Sequence, residues 1–400
     1  MNKRIWVAAL LATTVVSLPG LALAQRDTSD AAKVAKEKTG FVYKIDPSAS
    51  KPHPATYKAP RLSTGVPDLG GFWTNTTLTP LERSASFGTR NVLNDEELIK
   101  LEGDDQAIKA LSEKATDPNA STQEVSKQAD CSGGRGTGCN YNQGFVDFGG
   151  KVVRVNGQPR ASMLTFPADG RIPPRADGKA NVRGFADSEE GAAQAAAAQA
   201  AAASRGPNGA PGARRPGQND NPEGRSRAER CLQSFGSQAG PIMTPALYNN
   251  TYMFQQGTDT VAIWVEMVHD VRLIRLNSKH RTDGVRPYMG DSIGWYEGDT
   301  LVVETTNYPS YTNLRGSSAN LKVTERFKRV SNEALLYQFK IEDPTVWSQP
   351  WGGEYEFHQS EPIFEYACHE GNYGLQNILA GARDEEQRAQ QAGGARAGGG

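Results

Sequence analysis

The chain of 400 residues carries 44 Lys and Arg against 45 Asp and Glu, a formal net charge of −1. That balance lacks the basic excess expected of a nucleic-acid binder. Beyond the N-terminal 24 residues, no segment approaches the ~18 apolar residues that a membrane-spanning helix needs. The length allows two domains, although polar and low-complexity stretches reduce how much of it is expected to enter a core.

Residues 1–24, MNKRIWVAALLATTVVSLPGLALA, open with two cations, continue apolar, and close on Ala22-Leu23-Ala24. This is the pattern of a secretory signal peptide with an A-x-A cleavage site. Pro19 and Gly20 interrupt the run as a membrane anchor, and the absence of Cys at the cleavage site argues against a lipoprotein. Cleavage leaves 42 Lys and Arg against 45 Asp and Glu, in a chain expected to be periplasmic or secreted from a bacterium.

Residues 25–60 are polar with scattered Pro and are expected to be a disordered or loosely docked arm. The N-terminal part of a β domain follows over 61–183. PDLGGFWTN at 67–75 predicts its first strand, and Asn94 with Glu97 predicts a capping box that opens a helix near 94–115. Gly103 weakens the middle of that helix. Asn156-Gly157 predicts a tight hairpin turn between Lys151–Asn156 and Pro159–Phe166. Residues 184–229 form an Ala-, Gly- and Pro-rich low-complexity insert, and 384–400 a tail expected to be disordered.

The stretch 230–383 carries the core. TYMFQQ, TVAIWVEMVHDVRLIRLN, SIGWYEGDTLVVETTNY, LKVTERFKRV, LLYQFKIED and GGEYEFHQ alternate polar with apolar residues, the period of half-buried strands. Val265, Met267, His269, Val271 and Leu273 then share one face of a long strand, with Trp264, Glu266, Asp270 and Arg272 on the other. The fold class expected is mainly β, an antiparallel meander closing as a barrel or strongly curved sheet. It is calycin- or lipocalin-like in architecture, with one or two short helices. Barrels of about eight strands can hold one small ligand.

Four cysteines suit an oxidising compartment. Cys131 and Cys139 flank a short Gly-rich loop whose closure is worth ~2.5 kcal/mol, and Cys231 with Cys368 would close a long one, worth ~5 kcal/mol. The alternative for Cys368, beside His369, is a thiolate nucleophile.

Several side chains are candidates for a site. His269 with Asp270, tuned by Glu266 or Glu304, suits acid–base chemistry; the alternative is a core histidine bonded to backbone or carboxylate. His369 and Glu370, with Tyr366 and Tyr373, suit a barrel mouth; the alternative is a loop organised by Cys368. Trp264, Trp295 and Trp347 are candidate walls for a ligand, though packing explains them equally. Arg272, Glu304 and Glu325 are candidate polar contacts, and Glu325 lies on an apolar face where it needs a partner or a shifted pKa. His280, in polar NSKHRTDG, is expected in solvent. A metal held by His269, His369 and a carboxylate suits the ligand types, but no H-x-H or H-E-x-x-H pattern supports it, and no cofactor is expected. No nucleophile elbow, P-loop or dinucleotide fingerprint occurs in its needed context.

GPIMTPALYNN, EMVHDVRLIRL, MGDSIGWYEGDTLVVETTNY, ERFKRV, YQFKIEDPTVWSQPW and YACHEGNYGLQNILAGAR, preceded by PDLGGFW and LTFPADGRIPP, resemble a widespread family of secreted proteobacterial and acidobacterial proteins. The resemblance spans most of the ordered chain, and it brings no activity and no catalytic residue with it. Two functions follow from the residues. One is an exported binder of a small apolar or aromatic molecule in a barrel cavity. The other is a cofactor-free isomerase, lyase or hydrolase using His269 with a carboxylate.

Overall fold

The computed structural model describes residues 29–112, 149–178, 242–246, 248–310, 314–317 and 319–397, with a few positions between 119 and 240 that include 229–233. The signal segment, the Cys131–Cys139 loop and nearly all of the low-complexity insert lie outside these residues. Among the described residues no helix is long and apolar enough to cross a membrane.

Alternation of apolar residues builds a closed barrel. Its strands are β1 (Gly71–Thr74), β5 (Thr251–Gln256), β6 (Thr260–Val265), β7 (Val271–Leu276), β8 (Asp291–Glu297), β9 (Thr300–Thr306), β10 (Lys322–Arg329), β11 (Ala334–Glu342) and β12 (Trp351–Gln359). They pair in that order, and β12 returns to β1 through Trp73–Gln359 and Thr74–His358. A short strand, β4 (Leu164–Phe166), adds to the same edge of β12 near its start. Closure removes the unpaired edges that an open sheet would present. A small hairpin, β2 (Arg154–Val155) with β3 (Gln158–Pro159), turns at Asn156-Gly157 outside the barrel.

The expected meander is corrected in two places. Residues 260–277 are not one strand but a hairpin, β6 against β7, with Trp264 opposite Val271. The reversal is a short 3-10 turn, Met267–His269, in which Val268 and His269 take positive φ of 61° and 46°. Buried Glu266 anchors that turn by accepting the Thr251 N–H at 3.1 Å. Both halves then face the core, through Val261, Ile263 and Val265 on β6 and Arg272 and Ile274 on β7. The expected faces of Val271, Leu273 and Arg272 are therefore exchanged, because a turn of Glu, Met, Val and His carries no Gly, Pro or Asn to announce it. In addition, β7 and β8 are parallel, with Ile274 opposite Ser292. Residues 277–290 carry the chain back to the same end of the barrel, and Asp291 grips that loop through the Arg281 N–H at 2.8 Å.

Aromatic rings interlock inside. Phe327 meets Phe254 and Tyr337 with centroids 5.4 and 5.0 Å apart, and Phe357 meets Tyr337 and Tyr252 at 5.2 and 5.6 Å. Such pairs contribute beyond their buried area.

The N-terminal arm is docked. Helix α1 (Ser29–Thr39) buries Ala32 and Ala35 and packs against α2 (Asp95–Ser112), with Lys36 Nζ 2.5 Å from Asp104. The capping box of α2 forms, Asn94 and Glu97 exchanging bonds of 2.9 Å. Gly103 is where the arm crosses this helix, since a Cβ there would sit 2.9 Å from the Tyr43 Cβ. The residue that weakens the helix in isolation is the one that admits the arm. The Tyr43 hydroxyl donates to Glu102, which also accepts from Arg154 Nη1 at 3.0 Å and the Val152 N–H at 2.9 Å. At the other end, α3 (Tyr373–Ala397) runs into the expected tail. Arg383–Glu386 and Asp384–Arg388 pairs on successive turns support it.

Candidate functional site

Two polar constellations stand out, one inside the barrel and one beside it. Inside, Arg272 on β7 and Glu325 on β10 form a two-pronged ion pair, Nη1 to Oε1 at 3.1 Å and Nη2 to Oε2, at 2% and 0% exposure. Arg272 also donates to Ser292 Oγ at 3.2 Å and Thr305 Oγ1 at 3.0 Å. Burial alone would lower the Arg272 pKa, but the Glu325 carboxylate outweighs it and holds the guanidinium charged. Tyr337 donates to Glu325 at 2.8 Å and accepts the Met243 N–H at 3.2 Å, while the Tyr355 hydroxyl donates to the Met243 carbonyl. Burial pushes the hydroxyls of Tyr337 and Tyr355 far up. Met243 thus ties its segment to the network through both its N–H and its carbonyl.

Beside the barrel, the docked arm leaves a cleft of about 870 Å³. The arm contributes Phe41, Ala49, Lys51 and His53; α2 contributes Gln106, Lys109 and Ala110; Lys151, Val152 and Arg154 form the floor; Glu356 and His358 come from β12. Glu356 is buried, and His53 Nε2 lies 2.9 and 3.0 Å from its two oxygens. The hairpin turn holds both partners: the Asn156 N–H donates to Glu356 at 2.8 Å, and Asn156 Oδ1 accepts the His53 N–H at 2.9 Å. Gly157 is indispensable to that clasp, because a Cβ there would lie 2.5 Å from the Ser50 carbonyl. His358 has solvent-accessible surface, yet it sits in the recess where surrounding atoms displace bulk water. Its pKa is lowered, first by that burial and further by Arg154, His53 and Lys151, against the opposing pull of Glu356.

The residues singled out from sequence are not gathered in one place. His269 is exposed in the β6–β7 turn and its Nδ1 lies 3.1 Å from the Tyr366 carbonyl, so its expected position deep in a strand is corrected. Glu266 is spent on the Thr251 N–H, and the Asp270 carbonyl accepts from Val265 in the same turn. His369 and Glu370 are exposed in the turn before α3, and Tyr373 is exposed at its start. Cys368 is bonded to Cys231, which removes it as a nucleophile. Trp264, flanked in register by Met253 and Val271, and Trp295, bonded to Glu297 at 2.9 Å, stand on the outer face. Trp347 is buried edge-on against Trp351 at 5.3 Å. Among these candidates Arg272 meets Glu325 side chain to side chain, and His269 meets only the backbone carbonyl of Tyr366.

His280 is not a free loop residue. Its two nitrogens lie 3.1 Å from Asp291 and 3.2 Å from Glu304, and Glu304 also holds Lys322 at 2.5 Å. The pKa values of both carboxylates are lowered against the opposing effect of burial, at Asp291 by the Arg281 N–H, His280 and Arg275, and at Glu304 by Lys322 and His280. Among the described residues no group of three or more His, Cys, Asp or Glu is placed to hold a metal ion.

Sequence reasoning missed the cleft. Period two in GGEYEFHQ does place Glu356 and His358 together on the face opposite Tyr355 and Phe357, a signal that was available. Nothing in KPHPAT marks His53 as their partner. No protein-family model matches the chain, and no curated protein matches it at a significant level.

Proposed function

We propose that the chain is an exported small-molecule-binding protein whose ligand occupies the cleft between arm and barrel. The observation that carries this reading is the cleft itself. Its volume, about 870 Å³, falls in the range of small-molecule sites, roughly 300–1,000 Å³, and polar side chains from six separate segments line it. The Cys231–Cys368 disulfide supports export, because such bonds persist in oxidising compartments. An apolar or aromatic ligand inside the barrel draws support from the buried aromatic cluster, but it would have to part rings that already contact one another. The cleft asks for no such displacement.

A second reading is an acid–base enzyme, favoured by one observation: an imidazole set against a buried carboxylate, His53 on Glu356, at the wall of the same cleft. One experiment separates the two. Mature protein is incubated with a bacterial metabolite extract, and both the retained and the free compounds are followed by mass spectrometry, with Ala110→Trp as a variant that fills the cleft. A compound retained unchanged by the wild type and lost from Ala110→Trp supports the binder. Conversion to a new mass, abolished in His53→Gln, supports the enzyme. Retention that is equal in wild type and Ala110→Trp refutes the cleft as the site.

A further inference from the structure

The charges around the cleft say more about its occupant. Four cations line it, Lys51, Lys109, Lys151 and Arg154, against two carboxylates, Glu333 and Glu356. Glu356 already receives His53 and the Asn156 N–H, and Arg154 is matched by Glu102. Among the described residues, Lys51 and Lys151 make no ion pair, and both side chains are exposed at the rim. The field on this side of the cleft reaches a neighbouring group: Lys151 and Arg154 help to lower the pKa of Asp46, after its bonds to Ser48. A recess walled by protein focuses such a field and concentrates ions of opposite sign. Beside the cations, the lining mixes apolar side chains, Phe41, Ala49, Ala110 and Val152, with neutral polar ones such as Thr74, Thr76 and Gln106.

We infer that the cleft selects a small organic anion, its carboxylate or phosphate head drawn to Lys51 and Lys151 and its apolar body laid against Phe41, Ala49 and Ala110. This rests on the reading of the cleft as the binding site and adds the chemical class of the ligand. Lys51 comes from the arm and Lys151 from the segment leading into β2, so an anion between them also bridges the docked arm to the body of the protein. The imidazoles of His53 and His358 supply further polar contacts on the same wall. A neutral molecule of equal size gains only the apolar contacts.

The test pairs each anion with a neutral partner of matching shape: phenylacetate with 2-phenylethanol, hexanoate with hexanol, and phenyl phosphate with phenol. Binding to the full mature chain is measured by calorimetric titration at low and high salt. At least one anion is expected to bind about tenfold or more tightly than its neutral partner, since a charge-assisted bond is worth that factor. Lys51→Gln with Lys151→Gln is expected to erase that advantage, and added salt to reduce it. Preference among carboxylates and phosphates tells which head group the site takes. If no anion exceeds its partner, or if the advantage survives the double substitution, the inference is overturned. Neutral probes that bind as well as the anions, and are excluded by Ala110→Trp, would leave the cleft as a site while removing its charge selectivity. Binding untouched by Ala110→Trp would remove both.

Discussion

Glu325→Gln tests whether the barrel interior is built around its ion pair. The substitution keeps the shape of the side chain and removes its charge, which leaves Arg272 charged at 2% exposure with a neutral partner. Breaking a buried pair from one side costs about 3–5 kcal/mol, because the orphaned ion cannot be rehydrated. For a domain of this size each kcal/mol moves Tm by roughly 2–4 °C, so a fall of about 6–20 °C is expected. The second half of the test removes both charges with Arg272→Met and Glu325→Leu together. Ser292 and Thr305 still hold each other at 2.8 Å, and Tyr337 still accepts from Met243. The double variant should therefore recover most of the loss, as buried pairs replaced by apolar residues commonly do. Urea unfolding with the disulfide intact, followed by tryptophan fluorescence, measures both. A Glu325→Gln cost below about 1 kcal/mol, or a double variant as unstable as the single one, would show that the pair does not organise the interior.

Two further outcomes concern the arm. Gly157→Ala forces a Cβ against the Ser50 carbonyl at a positive φ of 79°, so limited proteolysis within 41–58 should quicken while barrel fluorescence stays native; unchanged proteolysis would refute the clasp. Tyr43 has its pKa raised from 10.0 to about 12, chiefly by burial and then by its bond to Glu102. Its stabilising contribution is full below pH 10 and is lost as pH rises through about 12, so urea midpoints between pH 8 and 11 should fall less in Tyr43→Phe than in the wild type. Parallel curves would show that this bond does not couple ionisation to stability.

The barrel was legible because its physics is local. Val323, Glu325 and Phe327 share a face by period two, as do Leu335, Tyr337, Phe339 and Ile341, and these positions are buried. The hairpin at 266–270 was not legible, since no residue with special backbone freedom marks a turn whose positive-φ positions are Val268 and His269. Reading through it as continuous strand carried His269 into the core and Arg272 out of it. The parallel pairing of β7 with β8 was hidden for a different reason: the register is decided by how loop 277–290 returns, and Asp291 fixes that path through Arg275, His280 and the Arg281 N–H.

The cleft was illegible because it exists only between segments far apart in sequence. His53 and Glu356 are separated by 303 positions, Tyr43 and Glu102 by 59, and Arg154 and Glu102 by 52. No periodicity links such pairs. Composition left the arm's state open, as disordered or loosely docked, because a polar and Pro-bearing segment favours disorder in isolation. What holds it is a series of buried polar contacts, the Glu102 cluster at one point and the Glu356 clasp at another, each with its partners in place. Partnered in this way a buried carboxylate adds little net stability but admits one arrangement over others, and here the arrangement admitted is the one that shapes the cleft. The same feature that withheld the site from the sequence therefore argues for its use. A polar arm gains little from burial alone, and docking it through charges that must all be satisfied at once makes sense where the space it encloses has to be of one shape.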